Sequence, residues 1–487
     1  MVWNSRMAYL MAMIGSAIGV GNIWRFPKVI YANGGSSFLI PYICAFLIMG
    51  LCVMLLENTM GYKFRACVPK ITNALKGKYE IVGWFMCFSV FLVLSYYVCI
   101  MGWDLLYLIL SFTKAWGTNT NLFFSQTLLH STNSISGVGS FAPTVLIAII
   151  IVWVLIFLIS QTSINKGIGT VCKILIPVLI GITVVVVVFA LTLPGAYIGY
   201  NQLLHPDWAS LLKLDVWIAA FAQIVFSLGL GEGIIIAYAV YLPEGTDLVK
   251  NTAIVASTNS AFEVFNAFGI FSILGFMTLS TGIPFNQLIT DGSGLAFIVF
   301  PQAFNIMGPW GYFIGPLFFL SLFFAGVTSA VALMEPIVYG LVDKFNFSRR
   351  KSVLCVCLTS FVVSLLFATH AGSMLLGIFD TFASEVCLLL AIILECILCG
   401  WLFKMDDLVK VNKSLKYPLN KIWKAIIKFV IPIFVGGLWI NGLYGLTSAN
   451  QTTKTIIIIL AIIAIIVPIV LTKLPAKNPE FYEIAGK

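Results

Sequence analysis

Long apolar runs separated by short polar breaks make up nearly all of the 487-residue chain. A helix that crosses a bilayer needs about 20 mostly apolar residues, and twelve segments are apolar enough to qualify. Because backbone groups in lipid must be hydrogen-bonded within their own segment, these runs predict an all-α membrane protein. The predicted spans are 7–30, 36–62, 81–113, 143–160, 169–191, 215–242, 249–280, 310–343, 352–370, 374–403, 425–447 and 454–472.

The composition agrees with this prediction and excludes several classes of function. Hydrophobic residues make up 60% of the chain and charged residues only 10%, whereas a soluble domain carries about 25% charge. Soluble enzymes, nucleic-acid-binding proteins and secreted disulfide scaffolds are therefore excluded. The sequence also shows no nucleophile–base pair and no metal-ligand spacing among its three histidines, so we do not expect an enzyme.

The basic residues predict how the chain is oriented in the membrane. If the N-terminus is cytoplasmic, all but five of the 28 lysines and arginines fall on the cytoplasmic side. This asymmetry follows the positive-inside rule and accounts for the net charge of +9 without a nucleic-acid partner. We therefore expect a multi-pass protein of the plasma or inner membrane with both termini in the cytoplasm. The five exceptions are Arg25, Lys28, Lys114, Lys213 and Lys454.

Two of the predicted spans are interrupted by glycines. The first span contains GSAIGVGN from Gly15 to Asn22, and the sixth contains SLGLGEG from Ser227 to Gly233. Gly-interrupted spans at matching positions of two halves are typical of a transporter's binding site, where the freed backbone groups become ligands. The alternative is that Gly15 and Gly19 only allow close packing of helices.

Six segments resemble the neurotransmitter:sodium symporter family. The resemblance implies the leucine-transporter fold with twelve helices in one domain (1–487), of which helices one and six are discontinuous. Residues 7–191 and 215–403 would form an inverted repeat, and 425–472 two accessory helices. The six segments are GSAIGVGNIWRFP (15–27), NGGSSFLIPY (33–42), SYYVCIMGW (95–103), FSLGLGEG (226–233), GLAFIVFPQA (294–303) and FAGVTSAVALMEP (324–336).

The function implied by the resemblance is sodium-coupled uptake of an amino acid by alternating access. An ion channel is the first alternative, although the sequence shows no repeated filter signature. A carrier for a non-amino-acid amine or another organic solute is the second. The expected partners are the amino acid, sodium ions and the lipid bilayer.

The resemblance also implies two sodium sites built from oxygen ligands, which a hard cation prefers. For the hydroxyls of the second site, the alternative is a hydrogen bond back to their own helix. The first site would be formed by Ala17, Asn22, Ser227 and Asn259. The second would be formed by Gly15, Ile18, Ala325, Thr328 and Ser329.

The substrate would lie between the two broken helices. Its carboxylate is expected near the N–H groups of Gly19 and Gly21 and the hydroxyl of Tyr97, for which a core or interfacial aromatic role is the alternative. Family members that carry biogenic amines have an aspartate at the position of Gly19, so glycine favours an amino acid. The implied substrate-binding residues are Ser16, Ala17, Gly19, Gly21, Val93, Tyr97, Phe226, Ser227, Gly229, Glu232, Ser329 and Leu333.

Gates are expected on both sides of this site. Arg25 and Asp380 resemble the outer gate pair, although Arg25 at a membrane interface could also serve only to reach the headgroups. The inner gate would contain Trp3, Tyr241 and Asp343. The arginine that pairs with the inner aspartate in the family would precede Met1.

Two acidic residues distinguish this chain within the family pattern. Chloride-dependent relatives have a serine at the position of Glu263, so this carboxylate, with Tyr42 and Gln223, predicts sodium-coupled transport that needs no chloride. Glu232 stands where many amino-acid carriers have an apolar residue. It either faces a cationic or hydrogen-bonding substrate side chain, or turns away to accept N–H groups of the unwound segment, as we expect of Glu57.

Overall fold

The computed structural model describes residues 2–74, 77–290, 292–414 and 418–483. Over these residues the chain is almost entirely helical, and its only β pairing is an isolated bridge between Phe141 and Thr369. The principal helices are α1 (Arg6–Ala17), α2 (Val20–Ala32), α3 (Gly35–Phe64), α4 (Gly77–Ser111), α5 (Pro143–Ser160), α6 (Asn165–Leu191), α7 (Leu214–Ser227), α8 (Ile234–Ala239), α9 (Leu248–Thr281), α10 (Gly308–Phe345), α11 (Arg349–Ala368), α12 (Gly372–Leu402), α13 (Leu419–Thr447) and α14 (Gln451–Lys473).

Shorter helices lie in the connections. They include Val68–Asn73, Thr120–Leu122, Ala196–Leu204, Phe285–Leu288, Gly292–Ile306 and Met405–Val411.

Among the described residues, ten helices are long and apolar enough to cross a membrane, or eleven if the bent pair α1 and α2 is one span. The predicted sixth span does not pass because it is divided into α7, with 14 residues, and α8, with six. The all-α membrane fold is thus confirmed, and the count of twelve stays a prediction.

Polar side chains at the helix starts explain several of these boundaries. Ser5 Oγ accepts the N–H of Ala8 at 3.1 Å, and Asp247 Oδ1 accepts that of Lys250 at 3.0 Å. The first N–H groups of a helix have no partner inside the helix, and a side-chain oxygen just before it satisfies one of them. These two residues therefore fix where α1 and α9 begin.

Burial separates central helices from peripheral ones. In their most apolar windows, α4 and α10 bury 83% and 78% of their residues, whereas α14 buries only 17%. The helices α1 and α2 pack on the central group, α1 against α6, α9 and α10, and α2 against α9. The helix α8 packs against α3 and α10. Both interrupted spans therefore lie in the interior, where their free backbone groups are shielded from lipid.

Candidate functional site

The first interruption separates α1 from α2, whose axes differ by 51°. Ile18 and Gly19 both have extended backbone conformations there, with ψ angles of 95° and −179°. The N–H groups after the break point to side chains instead of to helix carbonyls. That of Gly19 donates to Asn22 Oδ1 at 3.0 Å, and that of Val20 to the Tyr97 hydroxyl at 3.3 Å.

The second interruption lies between α7 and α8. Gly229, Gly231 and Gly233 have φ angles of +60°, +78° and +70°, which residues with a Cβ rarely adopt. The N–H of Gly231 donates to Glu57 Oε1 at 2.8 Å, and Glu57 is fully buried. The unwound segment thus has a carboxylate acceptor on α3, as the sequence suggested.

The two interruptions approach each other closely because glycines lie at the contact. A Cβ on Gly21 would stand 2.6 Å from the Phe226 ring. A Cβ on Gly19 would stand 3.2 Å from Ser329 Oγ and 3.3 Å from the Tyr97 hydroxyl. A larger side chain at position 19 would fill the space between these two hydroxyls.

A cavity of about 570 Å³ lies beside both interruptions. Eleven of the twelve residues expected to bind substrate line it, and Ser227 is the exception. The lining combines apolar walls with a few hydroxyl and carboxylate groups, which is the usual character of a small-molecule site. The eleven are Ser16, Ala17, Gly19, Gly21, Val93, Tyr97, Phe226, Gly229, Glu232, Ser329 and Leu333.

The side chains expected at the first sodium site form a buried chain of hydrogen bonds. Asn22 Nδ2 donates to Asn259 Oδ1 at 2.8 Å, and Asn259 Nδ2 donates to Ser227 Oγ at 2.5 Å. Ala17 is the last residue of α1. The structure therefore brings these side-chain oxygens together next to the break.

The residues expected at the second site also converge. Ser329 Oγ lies 3.3 Å from the Gly15 carbonyl and 3.4 Å from that of Ile18, so it reaches across to α1. Thr328 Oγ1 donates within its own helix and lies 3.1 Å from the Ala325 carbonyl. Of the two hydroxyls, only that of Thr328 shows the local bonding considered as an alternative.

Glu263 is fully buried on α9, one helical turn after Asn259. The Tyr42 hydroxyl donates to its Oε2 at 2.5 Å, and Gln223 Nε2 donates to its Oε1 at 2.9 Å. Both residues expected beside this carboxylate are therefore bonded to it. This arrangement places an acceptor with two donors beside the first sodium site.

Glu232 lines the cavity, and one of its carboxylate oxygens would lie 2.9 Å from a Cβ on Gly229. Within the described part of the chain, this carboxylate has no hydrogen-bond or ion-pair partner. Of the two interpretations left open by the sequence, the structure supports the one in which Glu232 faces the cavity.

The outer gate residues line the same cavity but are not joined. The Arg25 guanidinium lies over the Phe226 ring at 4.3 Å, and Asp380 accepts the Tyr96 hydroxyl at 2.7 Å. Among the described ion pairs, none joins Arg25 to Asp380. The cavity is therefore open between them.

The inner end is closed around Trp3. Its indole N–H donates to the Tyr238 carbonyl and its backbone N–H to the Tyr241 carbonyl, both at 2.9 Å. Asp343 lies 3.7 Å from Lys70 Nζ and accepts the N–H of Cys67 at 3.2 Å. Trp3, Tyr241 and Asp343 thus lie at the same end of the molecule, with a lysine beside the aspartate.

Two residues of this closure are absent from the sequence-based set. Lys70 and Arg65 had been interpreted only as charges that set topology. Arg65 follows α3 in the left-handed conformation, with φ +50°, and donates to the Val240 and Leu242 carbonyls. The only sequence signal was their position in a basic segment after the second span.

Comparisons with known proteins agree with this geometry. A family model described as the sodium:neurotransmitter symporter family matches residues 1–123 and 117–474. A sodium-dependent transporter of Methanocaldococcus jannaschii is 38% identical over 98% of this chain and 97% of that protein. The sodium- and chloride-dependent creatine transporter 1 of Homo sapiens is 30% identical over 83% of this chain and 70% of its own.

A solved structure is also similar. The crystal structure of MhsT in complex with L-phenylalanine superposes with a TM-score of 0.79 and 27% sequence identity. The alignment covers 91% of this chain and 99% of that one.

Proposed function

This chain belongs to the sodium:neurotransmitter symporter family, and from that premise we propose that it couples a sodium gradient to the uptake of an amino acid. The observation that carries the proposal is the cavity between the two helix breaks, which contains anion-binding and oxygen-rich regions side by side. The L-phenylalanine bound to MhsT supports an amino acid as the substrate.

The amino-acid carboxylate would bind at the start of α2. The first N–H groups of a helix and its dipole favour an anion, and Val20 already donates from this position to the Tyr97 hydroxyl. A carboxylate would take its hydrogen bonds from these N–H groups and from Tyr97. The absence of a side chain at Gly19 leaves room for it between Tyr97 and Ser329.

Two sodium ions would occupy the sites beside the first break. At the first site, Asn22 and Asn259 now donate through their amide nitrogens, so sodium would require each amide to present its oxygen instead. The substrate carboxylate would complete this site. Sodium and substrate would therefore strengthen each other's binding by the same factor.

Transport would not require chloride because Glu263 carries the negative charge itself. Its two donors, Tyr42 and Gln223, hold the carboxylate next to the first sodium site. A fixed carboxylate one turn from Asn259 would balance the sodium charge as a bound anion does. The human relative, by contrast, is named as chloride-dependent as well as sodium-dependent.

We further propose that 7–191 and 215–403 are inverted repeats of one transmembrane domain, followed by accessory helices at 425–472. The breaks at Ile18 and at 228–233 fall in the first span of each half, which supports this division. The distribution of lysine and arginine supports cytoplasmic termini.

The test is uptake into liposomes that contain the purified protein, with an inward sodium gradient and a panel of labelled amino acids. We expect sodium-dependent, saturable accumulation that is unchanged when gluconate replaces chloride. In Glu263→Ser, uptake in gluconate should fall by about tenfold or more, since the sodium site loses its paired charge, and chloride should restore it. Glu385→Ser is the matched control, and it should stay independent of chloride.

Three outcomes would contradict these proposals. Loss of wild-type uptake in gluconate would refute independence from chloride. Absence of sodium-driven accumulation for every amino acid would refute the proposed function. A sodium-independent current without accumulation would instead indicate a channel.

A further inference from the structure

We propose that the transported amino acid has a positively charged side chain, which pairs with the carboxylate of Glu232. This inference rests on the proposed function and specifies the class of substrate. It begins from the position of Glu232, which lines the cavity and has no hydrogen-bond or ion-pair partner among the residues that the structure describes.

The neighbouring carboxylates already have donors. Glu57 accepts the N–H of Gly231, Glu263 accepts Tyr42 and Gln223, and Asp380 accepts Tyr96. Because Glu57 satisfies the central N–H of the unwound segment, that segment does not need Glu232 as a second acceptor. The partner of Glu232 is therefore to be sought in the cavity.

The cost of burying this carboxylate selects the ligand. Water in the open cavity can solvate an unpaired carboxylate, but a bound side chain displaces that water. An apolar side chain would leave the charge buried without a partner, which is strongly unfavourable. An ammonium or guanidinium group would replace the lost hydrogen bonds with charge-assisted ones.

The walls around Glu232 fit such a side chain. Gly229 has no Cβ, and the carboxylate lies 2.9 Å from where that atom would be. Val93, Leu333 and Leu388 line the cavity with apolar surface, against which an aliphatic stem can pack while its charged end reaches the carboxylate. Lysine, ornithine and arginine combine such a stem with a terminal cation.

The proposal is tested with the purified full-length protein in sodium buffer by measuring binding of arginine and of citrulline, its neutral isostere. Lysine, phenylalanine and creatine complete the panel. We expect arginine to bind wild type at least about 30-fold more tightly than citrulline, since a buried charge without its partner is penalised. In Glu232→Gln, this ratio should fall to about one. The matched control is Glu385→Gln, a carboxylate of the same cavity, which should keep the wild-type ratio.

Each result decides the question. Citrulline or phenylalanine binding wild type as tightly as arginine would overturn the inference, without needing any variant to fold. Sodium-driven uptake of those neutral amino acids would then leave the proposed function standing. A ratio that also collapses in Glu385→Gln would overturn the specific role of Glu232. If no amino acid binds in sodium, both the inference and the proposed function are wrong.

Discussion

The two ends of the cavity contain similar kinds of residues in opposite arrangements. At the outer end, Arg25 and Asp380 lie apart, and each contacts an aromatic residue of its own side. At the inner end, Trp3 is 3% exposed and is hydrogen-bonded to the end of α8 through its backbone and its indole. The molecule is therefore open at one end of the cavity and closed at the other.

The difference shows how unequal the two closures are. The inner closure combines backbone hydrogen bonds, aromatic packing of Trp3 against Tyr9, Tyr238 and Tyr241, and the pair of Lys70 with Asp343. The outer closure would need one new ion pair, for which Arg25 leaves Phe226. A protein that alternates between the two must weaken many inner contacts when it makes few outer ones. Ligand binding would have to supply that difference.

The largest effect is expected from Trp3→Ala, which removes the centre of the inner closure. Replacing a buried tryptophan with alanine costs about 3–5 kcal/mol, and here that cost falls on the closed state. Uptake should fall by about 100-fold or more. The thiol of Cys67, now 1% exposed beside Asp343, should become reactive.

Trp310→Ala is the matched control, because Trp310 is 60% exposed and lies far along the chain from the inner gate. It should leave both uptake and the reactivity of Cys67 unchanged. An unreactive Cys67 in Trp3→Ala would show that Trp3 does not hold the inner end closed.

A smaller effect is expected from Asp380→Asn at the outer end. The amide can still accept the Tyr96 hydroxyl, but it cannot form an ion pair with Arg25. Substrate binding in sodium should be retained, while uptake falls by about tenfold because the outer end closes less often. Asp406→Asn, at an exposed pair with Lys424, is the control. Wild-type uptake in Asp380→Asn would remove this residue from the gate.

Most of the fold could be predicted from the sequence, because apolar runs of membrane length have few structural solutions. The span predicted at 143–160 is α5, and that at 249–280 is α9, within one residue at each end. The interruptions were also predictable, since glycines in an apolar run leave a mark in the sequence. The residues that face the cavity followed from the resemblance to the family.

Partners distant in the chain were less predictable. Asp343 lies beside Lys70 only because the segment after α3 folds against the end of α10, and no local pattern marks the lysine. In the same way, the sequence identifies Glu57 and Glu232 as carboxylates, but only the folded chain shows which one accepts the N–H of Gly231. A single sequence also cannot say which end of the cavity is open.

Labelling one thiol at each end of the cavity tests the central claim most directly. Native Cys67 reports on the inner end, and Thr381→Cys, on the lining beside Asp380, reports on the outer end. Reaction of each peptide is followed by mass spectrometry in sodium, with and without substrate. We predict that the thiol at 381 reacts and Cys67 is protected in sodium alone, and that adding substrate slows the first and exposes the second. If both thiols change in the same direction, or substrate changes neither, the two ends do not alternate.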